Sequence, residues 1–417
     1  MKKTLALILT LAMVMAMGAA GVAHAANPVS ITIFNSKMEI QSQMEEMAAE
    51  YSKAKGVDVE VYYSSDTVAA HMSTKYASGD PYTIAMVDAK DIYSLGAEHA
   101  IDLSGEKWVG DTTQAISVDG KVLGFPVCVE ARGIIYNADV ISAALGETFD
   151  PAAVKTTEDF QAVVDKVIAN GIAAPTGVMK EDWSLAAHFL AEVYEQHDDP
   201  DAFIAGIKDG SVKLIEDAKF NALMDTFDVL KNNNYAKDSA ISAEREVTEM
   251  MLAEGELAFM FGGNWDWSVI NAFDYTENMG IMPVPNNSGD GSEEKLVGGG
   301  SKYFYIDNGV SEEQQQAAKD FLNWLVYEED GQDFLVNKCA LVPAFSNITL
   351  EVSDPLSASV KAYSDAGAMI GNYNYLPDDH YAKCGASFQK YLAGAVDRAG
   401  FADEITAYRA TAEVGAH

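Results

Sequence analysis

The sequence predicts an α/β protein of two domains, and three observations carry that prediction. Short β-rich runs alternate with amphipathic helical runs over residues 29–87, the pattern of a parallel sheet whose crossover helices cover its faces. The chain has 417 residues, more than one domain of about 100 to 200 residues holds. A long extended run, Gly120 to Asn137, carries Glu130 and Arg132 inside an otherwise apolar stretch, where a strand buried on both faces would avoid charge. Two readings fit that run: an edge strand with one solvent face, or a strand that leaves one domain, crosses a cleft and enters the next.

In chain order, Lys2 and Lys3 precede an apolar run from Leu5 to about Met17, and Ala23-His24-Ala25 supplies a small-x-small site. Together they read as a secretory signal peptide over residues 1–25, too short to span a bilayer. The first cysteine is Cys128, so no lipid-anchor cysteine is expected near the cut, and a soluble mature chain is expected. Val29 to Phe34 alternates as a strand. Glu39 to Lys55 has helical periodicity and a Gly56 stop, Val57 to Tyr62 is a second strand, and a helix from about Thr67 to Ser78 leads through Gly79-Asp80-Pro81 into Tyr82 to Val87. In such a sheet the ligand loops lie beyond the carboxyl ends of the strands. Here those are Asn35-Ser36-Lys37, Ser64-Ser65 and Asp88-Ala89-Lys90.

After the charged extended run, residues 139–230 read as mostly helical, with one helix opening at Thr156-Thr157-Glu158 and closing at Asn170-Gly171. Ala243 to Leu252 is a further amphipathic helix. Met279 to Pro285 and Leu296 to Ile306 are extended and read as a return crossing, and Glu312 to Tyr327 places Ala317, Ala318, Phe321, Leu322 and Leu325 on one stripe. Gly298-Gly299-Gly300-Ser301 reads as hinge backbone rather than a phosphate cradle, since no Lys-Ser/Thr follows at P-loop spacing. Asn286 to Ser292 resembles half a calcium loop, but Val297 stands where the bidentate glutamate belongs.

Charge narrows the function classes. There are 28 basic and 63 acidic residues, a net −35, and loss of Lys2 and Lys3 with the signal brings −35 to −37. That field disfavours nucleic acid and anionic membranes. Cys128, Cys339 and Cys384 are an odd count for an exported chain. A Cys339–Cys384 disulfide and three buried free thiols both fit. No Gly-x-Ser-x-Gly or His-Glu-x-x-His is present, and no metal-ligand spacing stands out.

Four segments carry a resemblance: Phe125-Pro126 through Val129-Glu130-Ala131 to Tyr136-Asn137-Ala138-Asp139; Gly255-x-x-Ala258 through Gly262-Gly263-Asn264-Trp265; Ala317-Ala318-x-x-Phe321-x-x-x-Leu325; and Leu341-Val342-Pro343-Ala344-Phe345. In this order they resemble the family 1 extracellular solute-binding proteins of sugar ABC transporters, the group that includes maltose-binding protein. The resemblance runs from about residue 30 to the helices near 410. It implies a periplasmic-binding-protein-like type II fold, two α/β domains joined by crossing strands around a ligand cleft. Residues 26–129 with 302–350 would form one domain, and 130–301 with 351–417 the other. It further implies that Glu130 bonds sugar hydroxyls, that Trp183, in Glu181-Asp182-Trp183, and Trp265 stack on sugar faces, and that the three strand-end loops line the cleft.

A neutral sugar needs charged or amide groups at its hydroxyl edge and aromatic rings over its C–H face. The expected ligand-binding set is therefore Asn35, Ser36, Lys37, Ser65, Asp88, Glu130, Arg132, Glu181, Trp183, Trp265, Asp266, Gly300, Tyr373 and Tyr375, with Tyr381 a further available face and Trp267 read as core. No catalytic residue, metal or cofactor is expected. The resemblance implies a monomeric, exported carrier, in the periplasm or at the outer face of the membrane, that delivers a carbohydrate to an ABC permease and does not bind nucleic acid. Two alternatives stand beside it. One is a polyamine or other cationic solute held by acidic and aromatic residues; the other is a secreted carbohydrate-active enzyme, since 63 acidic residues are compatible with paired catalytic carboxylates. Maltose binders of the family carry a tryptophan near the place of Val87-Asp88, and its absence here argues against maltose itself.

Overall fold

The structure, a computed structural model, describes residues 29–377 and 379–412; the expected signal peptide lies outside the described residues. Among the described residues ten strands are formed: β1 (Ser30–Asn35), β2 (Asp58–Tyr63), β3 (Ile84–Asp88), β4 (Ile116–Val118), β5 (Lys121–Asn137), β6 (Thr176–Gly177), β7 (Phe259–Gly263), β8 (Met279–Met282), β9 (Leu296–Ile306) and β10 (Met369–Ile370). The main path runs β2-β1-β3-β9-β5-β7-β6, with β4 and β8 on β5 and β10 on β9.

The first three strands are parallel, as their alternation with helices requires. Ile31 and Ile33 of β1 are fully buried. Helix Gln41–Lys55 ends at Gly56, whose φ of 71° is the left-handed stop that a glycine adopts without strain. The sheet then turns mixed, because β9 runs antiparallel to both β3 and β5. The long β5 changes partners along its length: Phe125 to Arg132 face β9, Arg132 to Tyr136 face β7, and Ile134 to Asn137 face β8. Pro126, which has no N–H to give a ladder, sits where the β5–β9 register slips. At the crossing the two strands touch closely enough that a Cβ on Gly298 would lie 2.4 Å from the Glu130 carbonyl, so this position requires glycine.

The helices divide between the two ends of the sheet. Gln41–Lys55 and Glu312–Tyr327 cover one end, where Tyr51 meets Phe321 and Trp324 edge-on at 5.2 and 5.0 Å. At the other end Phe160, Phe189, Phe220, Phe227, Phe388 and Phe401 share one cluster under the helices from Thr157–Ala169 to Arg398–Thr411. Cys339 lies in the first of these cores and Cys384 in the second. All three cysteines are free and buried, so the Cys339–Cys384 disulfide is not formed: its partners belong to different packing units.

Candidate functional site

Between the two ends lies a cavity of about 700 Å³. One wall is built by four neighbouring strands, each of which presents one charge at or near the cavity. Lys37 follows β1, Asp88 ends β3, Lys302 stands in β9 and Glu130 in β5, so the signs alternate from strand to strand. Lys37 Nζ lies 2.5 Å from Glu130 Oε1 and 2.5 Å from Glu39 Oε1, and Lys302 Nζ lies 2.5 Å from Asp88 Oδ1. Burial alone would raise the Glu130 and Asp88 carboxyls, but Lys37 and Lys302 respectively hold both below the usual range. Burial would likewise lower Lys37, and Glu130 with Glu39 outweighs it, keeping the ammonium charged. Glu130 and Arg132 are two apart on a strand and share a face, while Val129 and Ala131 turn into the core. The charges inside the apolar run are there because that face lines the cavity.

The opposite wall is aromatic. A π-turn, Trp183–Phe189, bonds i to i+5 and brings Trp183 and His188 onto one face, their rings 5.2 Å apart. Trp265 comes from the turn after β7 and completes the group, 4.9 Å from His188 and 6.3 Å from Trp183 at 69°. The paired glycines before it are explained by contact: a Cβ on Gly263 would sit 2.2 Å from the Trp265 ring, and one on Gly262 would sit 2.0 Å from Asp266 Oδ2. Burial, with Arg132 and Arg245 nearby, holds His188 well below the ordinary imidazole range, so it stands neutral at pH 7. Arg132 ties the walls together. It pairs with Glu195, lies 3.6 Å from Glu192 and donates to Asn372 Oδ1 at 2.9 Å, while Glu195 accepts the Tyr373 N–H at 2.8 Å.

Ten of the fourteen expected residues line this cavity: Ser36, Lys37, Asp88, Glu130, Arg132, Trp183, Trp265, Asp266, Gly300 and Tyr373. Four do not. Asn35 is fully buried and braces the loop from behind, accepting the Lys37 N–H at 2.9 Å and donating to the Lys37 carbonyl at 2.8 Å. Ser65 is exposed beyond β2, the edge strand, and too far along the sheet to reach. Glu181 lies behind Arg245, 3.7 Å from its Nη1. Tyr375 packs on Tyr93 and Tyr373 at ring distances of 4.8 and 5.6 Å. Trp267 is buried and packs on Tyr275. Sequence reasoning passed over His188, Glu195, Arg245, Lys302 and Asn372, all of which line the cavity; the signals were faint, a lone histidine in an apolar run and a lysine after three glycines.

Two carboxyls near the site are set against ionisation. Burial, then Asp266, pushes Glu249 up to about 9, and burial pushes Glu192 up to about 8. A folded-state value above the unfolded one means a contribution to stability that is complete below about pH 4.3 and is lost as pH rises through 8 and 9. The double variant Glu192→Gln/Glu249→Gln is therefore expected to melt close to the parent at pH 5. At pH 9 it should melt several degrees higher than the parent, whose folded state there keeps protons that its unfolded chain has given up. A constant difference across that range would contradict the assignment.

A mixed sheet whose two longest strands run past a cavity with one charged and one aromatic wall is the architecture of the type II periplasmic-binding fold. More particularly, the chain belongs to the bacterial extracellular solute-binding proteins, the family matched over residues 46–367. Members of this family are binding proteins rather than enzymes. The chain is 27% identical over 288 residues to the maltodextrin-binding protein MdxE of Bacillus subtilis, a match spanning 66% of this chain and 64% of that protein's length. It is 25% identical over 326 residues to a maltooligosaccharide ABC transporter solute-binding lipoprotein of Streptococcus pneumoniae, across 73% of this chain and 70% of that one. The solved structure of the binding protein RafE in complex with raffinose shares the fold, with a TM-score of 0.76 over 92% of this chain and 99% of that chain at 17% identity. Among the described residues no helix is long and apolar enough to cross a membrane.

Proposed function

We propose that this chain is the exported, monomeric substrate-binding component of an ABC importer, capturing a short oligosaccharide in the cavity and presenting it unchanged to a membrane permease. The observation that carries the reading is the pairing of walls: a row of charged groups able to bond hydroxyls at one side and the Trp183–His188–Trp265 group at the other. The sugars bound by the relatives, maltodextrin and maltooligosaccharide, point the same way. Residues 26–129 with 302–350 form one lobe in this reading and 130–301 with 351–417 the other, and flexing of β5 and β9 closes them on the ligand. Residues 1–25 act as the export signal.

The charge pairing favours a neutral ligand over a cationic one. Glu130, Asp88, Asp266 and Glu195 each already hold a lysine or arginine of the chain, so a polyamine would have to displace a tethered cation. Titration calorimetry with maltotriose, raffinose, chitotriose and spermidine is the test. At least one sugar is expected to bind with Kd on the order of 1–10 µM and to change less than about twofold between roughly 50 and 500 mM salt. The sugar recovered by chromatography should be intact. Spermidine as the sole binder, with affinity falling steeply in salt, would overturn the reading in favour of a cationic solute; cleaved sugar would overturn it in favour of an enzyme.

A further inference from the structure

Arg245 lies at the back of the aromatic wall, and its contacts are those of a clamp. It opens helix Arg245–Ala253 and projects between three acidic side chains and one indole. Nε and Nη2 donate to Asp266 Oδ1 and Oδ2 at 2.9 and 2.8 Å, the two parallel bonds that a planar guanidinium makes with a carboxylate and a lysine cannot. Asp266 is itself fixed, because its Oδ2 also accepts the Gly263 N–H at 2.9 Å, and Gly263 underlies the Trp265 ring. Glu249 at 3.6 Å and Glu181 at 3.7 Å complete the surround. The open face of the guanidinium lies over the Trp183 ring, 4.7 Å from its centroid. One rigid chain of contacts thus runs from the β7 backbone through Asp266 and Arg245 to the Trp183 indole.

This chain matters because it ends on the face of the Trp183 ring. The indole comes from a π-turn rather than a strand end, is half-buried at the cavity, and meets its aromatic neighbours His188 and Trp265 at steep angles of 75° and 69°, whereas the guanidinium lies over its face. A stacking platform that is free to turn loses its advantage, since the ligand must then supply the cost of ordering it. From this geometry we infer that Arg245 is a positioning residue of the binding site: it acts on the ligand through Trp183, holding that indole in the orientation that receives a sugar face. The inference rests on the carbohydrate reading given above for its effect on affinity, but not for its effect on the indole.

The test has one arm for each. Without ligand, the near-ultraviolet circular dichroism of the exported chain, less that of Trp183→Phe, isolates the Trp183 band. Arg245→Lys, which keeps the charge and loses the fork and the plane, is expected to abolish that band while far-ultraviolet dichroism is retained. A band unchanged in Arg245→Lys overturns the proposal, and if that variant does not fold, Asp266→Asn, which frees the same guanidinium, replaces it with the same expectation. With maltotriose or raffinose as probe, Arg245→Lys is expected to weaken binding by about tenfold in the parent and by less than about twofold in a Trp183→Leu background. Equal losses in both backgrounds would show that Arg245 acts independently of Trp183 and overturn the proposal. If the parent binds none of maltotriose, raffinose and chitotriose, the proposed function fails, and the dichroism arm still decides whether Arg245 orders the indole.

Discussion

Arg132→Met is expected to lower stability by about 3–5 kcal/mol and to reduce sugar affinity below detection, a loss read by chemical denaturation and by calorimetry on the same preparation. Its side chain is 5% exposed and Glu195, its partner, 2%, so removal of the guanidinium leaves a carboxylate unpaired and almost wholly out of water. The damage should extend beyond one ion pair. Burial already pushes Glu195 and Glu192 upward against the pull of Arg132; Glu192 is protonated at neutral pH as it stands, and without that pull Glu195 would have to take up a proton to remain folded. The segment from Asn372 to Tyr373 is held by bonds to Arg132 Nη1 and to Glu195, so it too should loosen. Arg132→Lys should recover part of the loss, because it restores charge but not the forked geometry. If Arg132→Met were as stable as the parent, the view of this residue as the tie between β5, the helical end and the 370s segment would be wrong.

The second large effect concerns binding alone. Trp265→Ala is expected to weaken sugar binding by about 30-fold or more, the cost of truncating an aromatic anchor, and Glu130→Gln by about 10- to 100-fold, from the loss of a charge-assisted bond. Calorimetry reads both. Glu130→Gln also removes a counter-ion of Lys37, which keeps Glu39 at 2.5 Å, so its fall in stability should be small beside its fall in affinity. Two variants that both bind sugar as the parent does would place the ligand elsewhere, even with the class of protein unchanged.

How much of this was readable before the structure differs from residue to residue, for physical reasons. Glu130 and Arg132 announced themselves because charge on one face of an apolar strand needs a polar environment, and β5 supplies it by lining the cavity. The double glycine before Trp265 was visible as a motif, although its cause, an indole folded back over Gly263 and a carboxylate over Gly262, is a contact between neighbours that only coordinates reveal. Ser65 was expected at the site because loops at strand ends usually bind; that rule weakens at an edge strand, and β2 is one. His188 was hidden by the π-turn, a local change of helical period that brings it beside Trp183 and leaves no trace in hydrophobic patterning. Arg245 and Lys302 were passed over because their partners, Asp266 and Asp88, are 21 and 214 residues away. The cysteine ambiguity had the same root: separation into two cores is a property of the packed chain, not of spacing.

The most direct measurement is the crystal structure of the chain grown with whichever sugar calorimetry selects. Density for that sugar is expected in the 700 Å³ cavity, with a hydroxyl within hydrogen-bonding reach of Glu130 or Arg132 and a ring face against Trp183 or Trp265. A sugar bound outside this cavity, or an occupied cavity in which none of those four side chains touches the ligand, would contradict the account.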